Sequence, residues 1–289
     1  MSERARTADG ARSPLLERAV GVAILALVAA ALLVYVKIFA DVTLAGIGHV
    51  DLALLTEEPR LSGRAGGVLP IIVSTMVVLA IAVAVAVPIS LATALFIIEF
   101  LPEDSRWTKA LRASMLVLAS VPSIAFGFFG AVFFARTLGF GTSLLTGGLT
   151  LAVMILPICT FAFEEVFRLL PTGYRYGAYA LGASRTRFIL QVLIPATATD
   201  IITVVLIGLG RALAETAALL FTSGYSDRMP ESVLDPGRVL SVHIYDLTMN
   251  IPGGNAMAAA SAVLLVGIFL AISGFGLLLS RYLSLRERA

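Results

Sequence analysis

Six runs of this chain, residues 20–40, 71–98, 113–135, 144–163, 201–223 and 256–280, stay apolar over about 20 residues or more, the length a helix needs to cross a bilayer core. Only helices and closed barrels satisfy every backbone polar group in hydrocarbon. None of the runs alternates with the period of two and the ~10-residue spacing of a membrane barrel. The expected fold class is therefore all-α: a polytopic membrane protein with six transmembrane helices. Composition agrees, with 58% apolar and 14% charged residues, against about 45–50% and about 25% in soluble domains. An ordinary soluble enzyme and a disordered chain are both excluded. The single cysteine, Cys159, rules out an internal disulfide, and two histidines are too few for a His-rich metal centre.

Orientation follows from the Lys and Arg of the connections, because cytoplasmic loops carry the excess. One side holds Arg4, Arg6, Arg12 and Arg18, then Arg106, Lys109 and Arg112, then Arg168, Arg175, Arg185 and Arg187, and finally Arg281, Arg286 and Arg288. These are fourteen of the 21 Lys and Arg, against six on the other side, so both termini are expected in the cytoplasm. The first run is long for the apolar core of a cleaved leader and reads as a membrane helix. External stretches at 41–69 and 222–255 remain, with a cytoplasmic one at 164–200. A net charge of +2 gives no reason to expect a nucleic-acid partner. Pro88, Pro122 and Pro157 fall inside runs, as ordinary membrane kinks or as hinges of a moving transporter.

No motor is legible. A phosphate-cradling G-x-x-x-x-G-K-[ST] loop needs lysine after glycine, yet Lys37 and Lys109 follow Val36 and Thr108. No H-E-x-x-H, C-x-x-C or G-x-S-x-G occurs, so no catalytic and no metal-ligating residue is assigned. Gly208-Leu209-Gly210 lies inside a membrane run, where close helix packing explains the glycines.

Two segments carry information. In the 164–200 stretch, a short helix at 176–181 stops at Gly182, Ser184 caps a second one at 185–192, and Pro195 ends it. The small residues Gly177, Ala178, Ala180 and Ala183 let a partner's groove come close; a plain interfacial hairpin is the alternative. In the fifth run, Arg211 and Glu215 are the only charges deep in a span, where a central arginine costs about 2.5–3.5 kcal/mol on insertion scales. Their i, i+4 spacing allows a salt bridge. The pair either locks the helix in its bundle or offers a guanidinium, matched to phosphate oxygens, to a passing anion. Thr216 and Thr203 are candidate hydroxyl contacts. Glu99 and Glu165 read as solvated or interfacial carboxylates.

Tyr176-Gly177-Ala178-Tyr179-Ala180-Leu181-Gly182 through Val192-Leu193-Ile194-Pro195 resembles the E-A-A-x-x-x-G-(x)9-I-x-L-P signature of ABC importer permeases. Gly182, Pro195 and Ala178 match it; Tyr176 stands at the family's glutamate, Gly177 at its first alanine. Arg211-Ala212-Leu213-Ala214-Glu215-Thr216-Ala217-Ala218-Leu219-Leu220-Phe221-Thr222 resembles the R-A-x-G-E-T-A-P-L-L-F-T run of phosphate importer permeases of the PstA type, with Ala214 and Ala218 in place of glycine and proline. The last external segment, Leu240 to Tyr245 before Asn255, is also similar.

The resemblance implies a type I ABC importer permease fold over 68–283, preceded by a cytoplasmic tail (1–19) and a first helix with its external loop (20–67), and followed by a tail at 284–289. It implies a prokaryotic plasma (inner) membrane protein. ATPase coupling would run through Tyr176, Gly177, Ala178, Gly182, Ala183 and Pro195, and inorganic phosphate would pass Arg211, Glu215 and Thr216. Implied partners are a second, PstC-like permease, a dimer of a PstB-like ATP-binding subunit and an external PstS-like phosphate-binding protein, besides the lipid bilayer. No cofactor is expected on this chain, since ATP and Mg belong to the ATPase. A permease for another oxyanion or organic solute is the alternative, and a non-conducting scaffold or sensor subunit a further one.

Overall fold

A computed structural model describes residues 14–286. The tail residues Arg4, Arg6, Arg12, Arg288 and the Arg286 side chain, expected in the cytoplasm, lie outside the described residues. The chain opens with α1 (Pro14–Ile47), the short α2 (Leu52–Thr56) capped by the Asp51 carboxylate, and a two-residue antiparallel pair, β1 (Pro59–Arg60) with β2 (Ala65–Gly66). Next come α3 (Leu69–Leu95), extended by a π-helical turn at Phe96–Phe100, and α4 (Arg106–Ser120). α5 (Ser123–Gly130) continues as a π-helix through Ala131–Thr137 and precedes α6 (Leu144–Leu169). The 164–200 segment contributes α7 (Thr172–Ala180), α8 (Arg185–Phe188) with a π turn at Ile189–Leu193, and α9 (Ile194–Ala196). α10 (Ala198–Leu213), α11 (Leu219–Thr222), α12 (Leu240–Met249) and α13 (Asn255–Arg286) complete the fold.

Four of the six expected spans are unbroken helices long and apolar enough to cross a membrane, α1, α3, α6 and α13, and the other two fall on bent helix pairs. The third, expected over 113–135, breaks at Val121 and Pro122, where α4 and α5 meet at 96°. Proline drives the residue before it out of the helical region, and Val121 is extended at φ −67°, ψ 130°. Arg106, Lys109 and Arg112 thus ride on a helix rather than a loop. The fifth pair bends by 72° at Thr197, two residues past Pro195, so α10 begins before residue 201 and ends at Leu213. Residues 214–218 are not helical, and Glu215 follows the helix instead of sitting within it. Likewise α6 runs on to Leu169, which puts Glu164 inside a helix rather than at the start of a loop.

α3 and α6 pack along one another and against α10, forming the core. Ala82 and Ala86 of α3 are buried with Leu151, Ile155 and Phe163 of α6. Small residues let backbones approach in a medium where apolar burial alone gains little: a Cβ on Gly148 would come 2.6 Å from Ile81. A second cluster joins Leu54, Val68, Ile71, Leu240 and Ala260 where α2, α3, α12 and α13 meet. α1 lies against α13, Gly46 seated on the Ala259 carbonyl, and otherwise exposes its apolar side chains.

Candidate functional site

Arg211 stands in the last turn of α10 and Glu215 just beyond it. The Arg211 Nη1 donates to Glu215 Oε2 at 2.7 Å, and its Nη2 lies 3.9 Å from the Met154 sulfur. The same carboxylate accepts from the Ala218 backbone N–H at 3.4 Å, and the Glu215 carbonyl accepts from the Ser241 hydroxyl at 2.7 Å. These bonds replace the helical ones and explain why an alanine-rich stretch opens here. Gly127 of α5 packs on the Ala218 backbone, and Gly130 sits against Thr150 and Thr222. The loop is thus clamped by α5, α6 and α12.

The Arg211 side chain is 39% exposed while that of Glu215 is 4% exposed. Glu215 holds one edge of the fork and leaves the rest of the group reachable by an anion. Thr216 lies next to Glu215, half-buried, its carbonyl accepting from Leu219 N and Leu220 N. Thr203 is not part of this constellation. It lies about 12 Å along α10 at 1.5 Å per residue, and its hydroxyl donates to the Thr199 carbonyl at 3.1 Å. The Gly208–Gly210 pair packs closely, a Cβ falling 2.8 Å from Cys159 Sγ or 3.0 Å from Phe269.

The 164–200 loop makes a sharp corner. Gly182 has φ +76°, the Gly182 N–H bonds the Tyr179 carbonyl and the Ala183 N–H bonds the Ala178 carbonyl, each at 3.0 Å. That is a Schellman stop, which favours glycine because a Cβ is strained there. Ser184 then caps α8 by accepting from Arg187 N at 3.3 Å. Pro195 opens α9 instead of ending the helix before it. No residue of α7 is buried: Tyr176 is 71% exposed, Leu181 just past its end is 90% exposed, and nothing lies within 4 Å of the Gly177 or Gly182 Cβ positions. Ala178 leans on the core. An exposed, partly apolar knob on a fixed corner is suited to a partner's groove.

One set of side chains escaped the sequence reading. Glu99, expected to be solvated, is buried and pairs with Arg175. Glu164 is buried too, 3.0 Å from Arg112 Nε and 3.7 Å from Arg168, which reaches Glu103 at 3.1 Å. Glu165 is exposed, as expected. Arg112, Arg168, Arg175 and Glu103 line a cavity of about 390 Å³ among the turn after α3, α4, α6 and α7. The only sequence signal was opposite charges at several helix ends on one side of the membrane.

Residues 86–284 match the family described as the binding-protein-dependent transport system inner membrane component. The chain is 29% identical over 251 residues to the "Probable ABC transporter permease protein YqgI" of Bacillus subtilis (strain 168), covering 81% of this chain and 85% of that one. It is 30% identical over 243 residues to the phosphate transport system permease protein PstC of Haemophilus influenzae, covering 75% of each. In fold it resembles a bacterial alginate ABC transporter (TM-score 0.68, 14% identity, 92% of this chain and 95% of that one) and the inward-facing MetNI methionine ABC transporter (TM-score 0.60, 18% identity, 75% and 94%). The helical order, the bent spans and the family match together place this chain in the binding-protein-dependent inner membrane components: it is a non-catalytic, multi-pass permease subunit of an ABC importer, whose ATPase is a separate subunit.

Proposed function

We propose that this permease carries inorganic phosphate, as a PstA-type subunit. The observation that carries the reading is the partly exposed Arg211 side chain, its guanidinium held on one edge by the buried Glu215 at the break between α10 and α11. An arginine cannot shed its charge, so at this depth it favours an anion over a neutral solute. The similarity to PstC supports phosphate, and the Arg211-to-Thr222 run favours the PstA position within such a pair. On this reading a PstC-like permease completes the pathway, and Arg211, Glu215 and Thr216 line it.

A PstS-like protein delivers phosphate from outside. A PstB-like dimer receives the α7 knob through Tyr176, Gly177, Ala178, Gly182 and Ala183, with Pro195 setting the base of the following helix. ATP and Mg bind that dimer, and this chain takes no cofactor. Residues 68–283 form the permease domain, and both termini lie in the cytoplasm. ATP-driven closure of the dimer moves the knob, and the bundle alternates between its two openings.

The test is radiolabelled phosphate uptake in cells lacking other phosphate importers, comparing the parent with Arg211→Gln at matched membrane levels and with the ATPase retained. The expected result is uptake by the parent and its loss in the variant. No uptake by the parent with its partners present refutes the phosphate reading. Competition by sulfate, molybdate or phosphonates in place of phosphate assigns another anion.

A further inference from the structure

Two cytoplasmic side chains hold the last turn of α3 from either side of the Gly182 corner. From α7, Arg175 Nη2 donates to Glu99 Oε1 at 2.5 Å, onto a side chain only 1% exposed. From the start of α8, the Arg185 guanidinium lies 5.1 Å from the centre of the Phe100 ring. Arg175 also stands over Phe188 at 5.5 Å, and Tyr179 meets the same ring at 5.7 Å. Phe188 is fully buried while no residue of α7 is, so α7 is tied to the bundle through side chains that reach inward. The turn they grip, Phe96–Phe100, is π-helical, a wound-out geometry that recurs at functional positions.

From that turn α3 runs back to the far end of the bundle. Glu99 to Thr75 covers about 36 Å at 1.5 Å per residue. There the Thr75 hydroxyl accepts from Leu240 N at 2.9 Å, and the adjacent Ser241 hydroxyl donates to the Glu215 carbonyl at 2.7 Å. Glu215 in turn holds Arg211. The coupling loop and the anion site therefore attach to opposite ends of one helix.

We infer that the Glu99–Arg175 ion pair, backed by Arg185 on Phe100, is the joint through which the coupling loop moves α3, which makes these positioning residues for transport. The inference rests on the coupling role proposed for the α7 knob. A buried, charge-assisted contact suits a joint because it is directional, and because losing one partner leaves the other charge unpaired.

The experiment uses the permease complex with its ATPase and second permease in nanodiscs, carrying Cys159→Ser and a reporter cysteine at Ala217, two residues past Glu215 in the break. Reaction of that cysteine with a charged thiol reagent is timed with and without a non-hydrolysable ATP analogue. This readout needs no transported substrate. In the parent the nucleotide changes the labelling rate. Arg175→Gln or Glu99→Gln, with the complex assembled, cuts that response by roughly fivefold or more, and the Arg175→Glu/Glu99→Arg exchange restores part of it. An undiminished response in an assembled single variant overturns the joint.

Where the single variants fail to assemble, Arg175→Lys and Glu99→Asp replace them, keeping both charges but altering the reach. A weakened response then supports the joint and an unchanged one overturns it. Phosphate uptake is measured in parallel. A parent that responds to nucleotide yet takes up no phosphate refutes the substrate alone, whereas a parent without any nucleotide response overturns the coupling role and the joint together.

Discussion

The Glu215 carboxylate is 4% exposed and the Arg211 side chain 39% exposed, although 2.7 Å separates them. The two ends of this pair therefore differ in what their loss leaves behind. Removing Arg211 strands a buried carboxylate with one long bond to Ala218 N, and an unpaired buried charge is the costly outcome. Removing Glu215 leaves a guanidinium that water can reach, a smaller penalty. Arg211→Gln is expected to lower the thermal midpoint of the purified complex more than Glu215→Gln, the gap corresponding to about 1–2 kcal/mol. The double variant is expected to lie above the sum of the two losses, since each single change leaves the other group unsatisfied. Differential scanning fluorimetry on the three variants checks the order. Equal midpoints for the single variants would show that both groups reach water alike. Arg211→Lys belongs beside them in uptake assays, because it keeps the charge and loses the fork.

At the scale of elements, α12 is fastened by a residue of unusual state. His243 is fully buried beneath Gly63, neither of its ring nitrogens has a hydrogen-bond partner, and a Cβ on Gly63 would come 2.6 Å from its Cε1. Burial, and to a lesser degree the Arg238 charge, push its pKa down to about 4, against the opposing pull of Asp246 and Asp227. The unfolded chain takes up this proton near pH 6.5, whereas the folded one refuses it until about pH 4. The contribution is thus complete above about 6.5 and declines as the pH falls toward 4, by at most about 3 kcal/mol. Thermal midpoints measured between pH 7.5 and 4.5 are expected to fall more steeply in the parent than in His243→Leu. Parallel curves would sink this account.

How much of such detail a sequence discloses depends on whether its cause is local. Gly182 and Ser184 were legible because a helix stop and a cap are set by neighbouring residues, and the Arg211–Glu215 pair because i, i+4 is a local spacing. The break at 214–218 was not, since alanine-rich residues favour helix and what opens them is Ser241 and α5 far along the chain. The Glu99–Arg175 pair joins residues 76 apart in sequence, beyond any periodicity. Apolar run lengths told where the chain crosses, while Pro122 and the residues after Pro195 decide where it bends.

Across the whole molecule, the fold gathers at one end the cations that the sequence divides between two connections. Arg112 and Arg168 meet on Glu164, and Arg175 borders the same cavity, with Arg185 on the neighbouring Phe100. At the opposite end, Arg64 reaches the Pro252 carbonyl and Arg238 pairs with Asp246. By the excess of Lys and Arg in cytoplasmic loops, the cation-rich end is expected in the cytoplasm. Cysteines placed at Asp104, a fully exposed position at the cation-rich end, and at Thr142, exposed near the other, report this directly. Cys159 is buried and contributes little background. In intact cells an impermeant maleimide is expected to label Thr142→Cys at once and Asp104→Cys only after permeabilisation. The reverse pattern would turn the molecule over and place the α7 knob outside, beyond the reach of any cytoplasmic ATPase, so this labelling decides the coupling role before any transport assay is run.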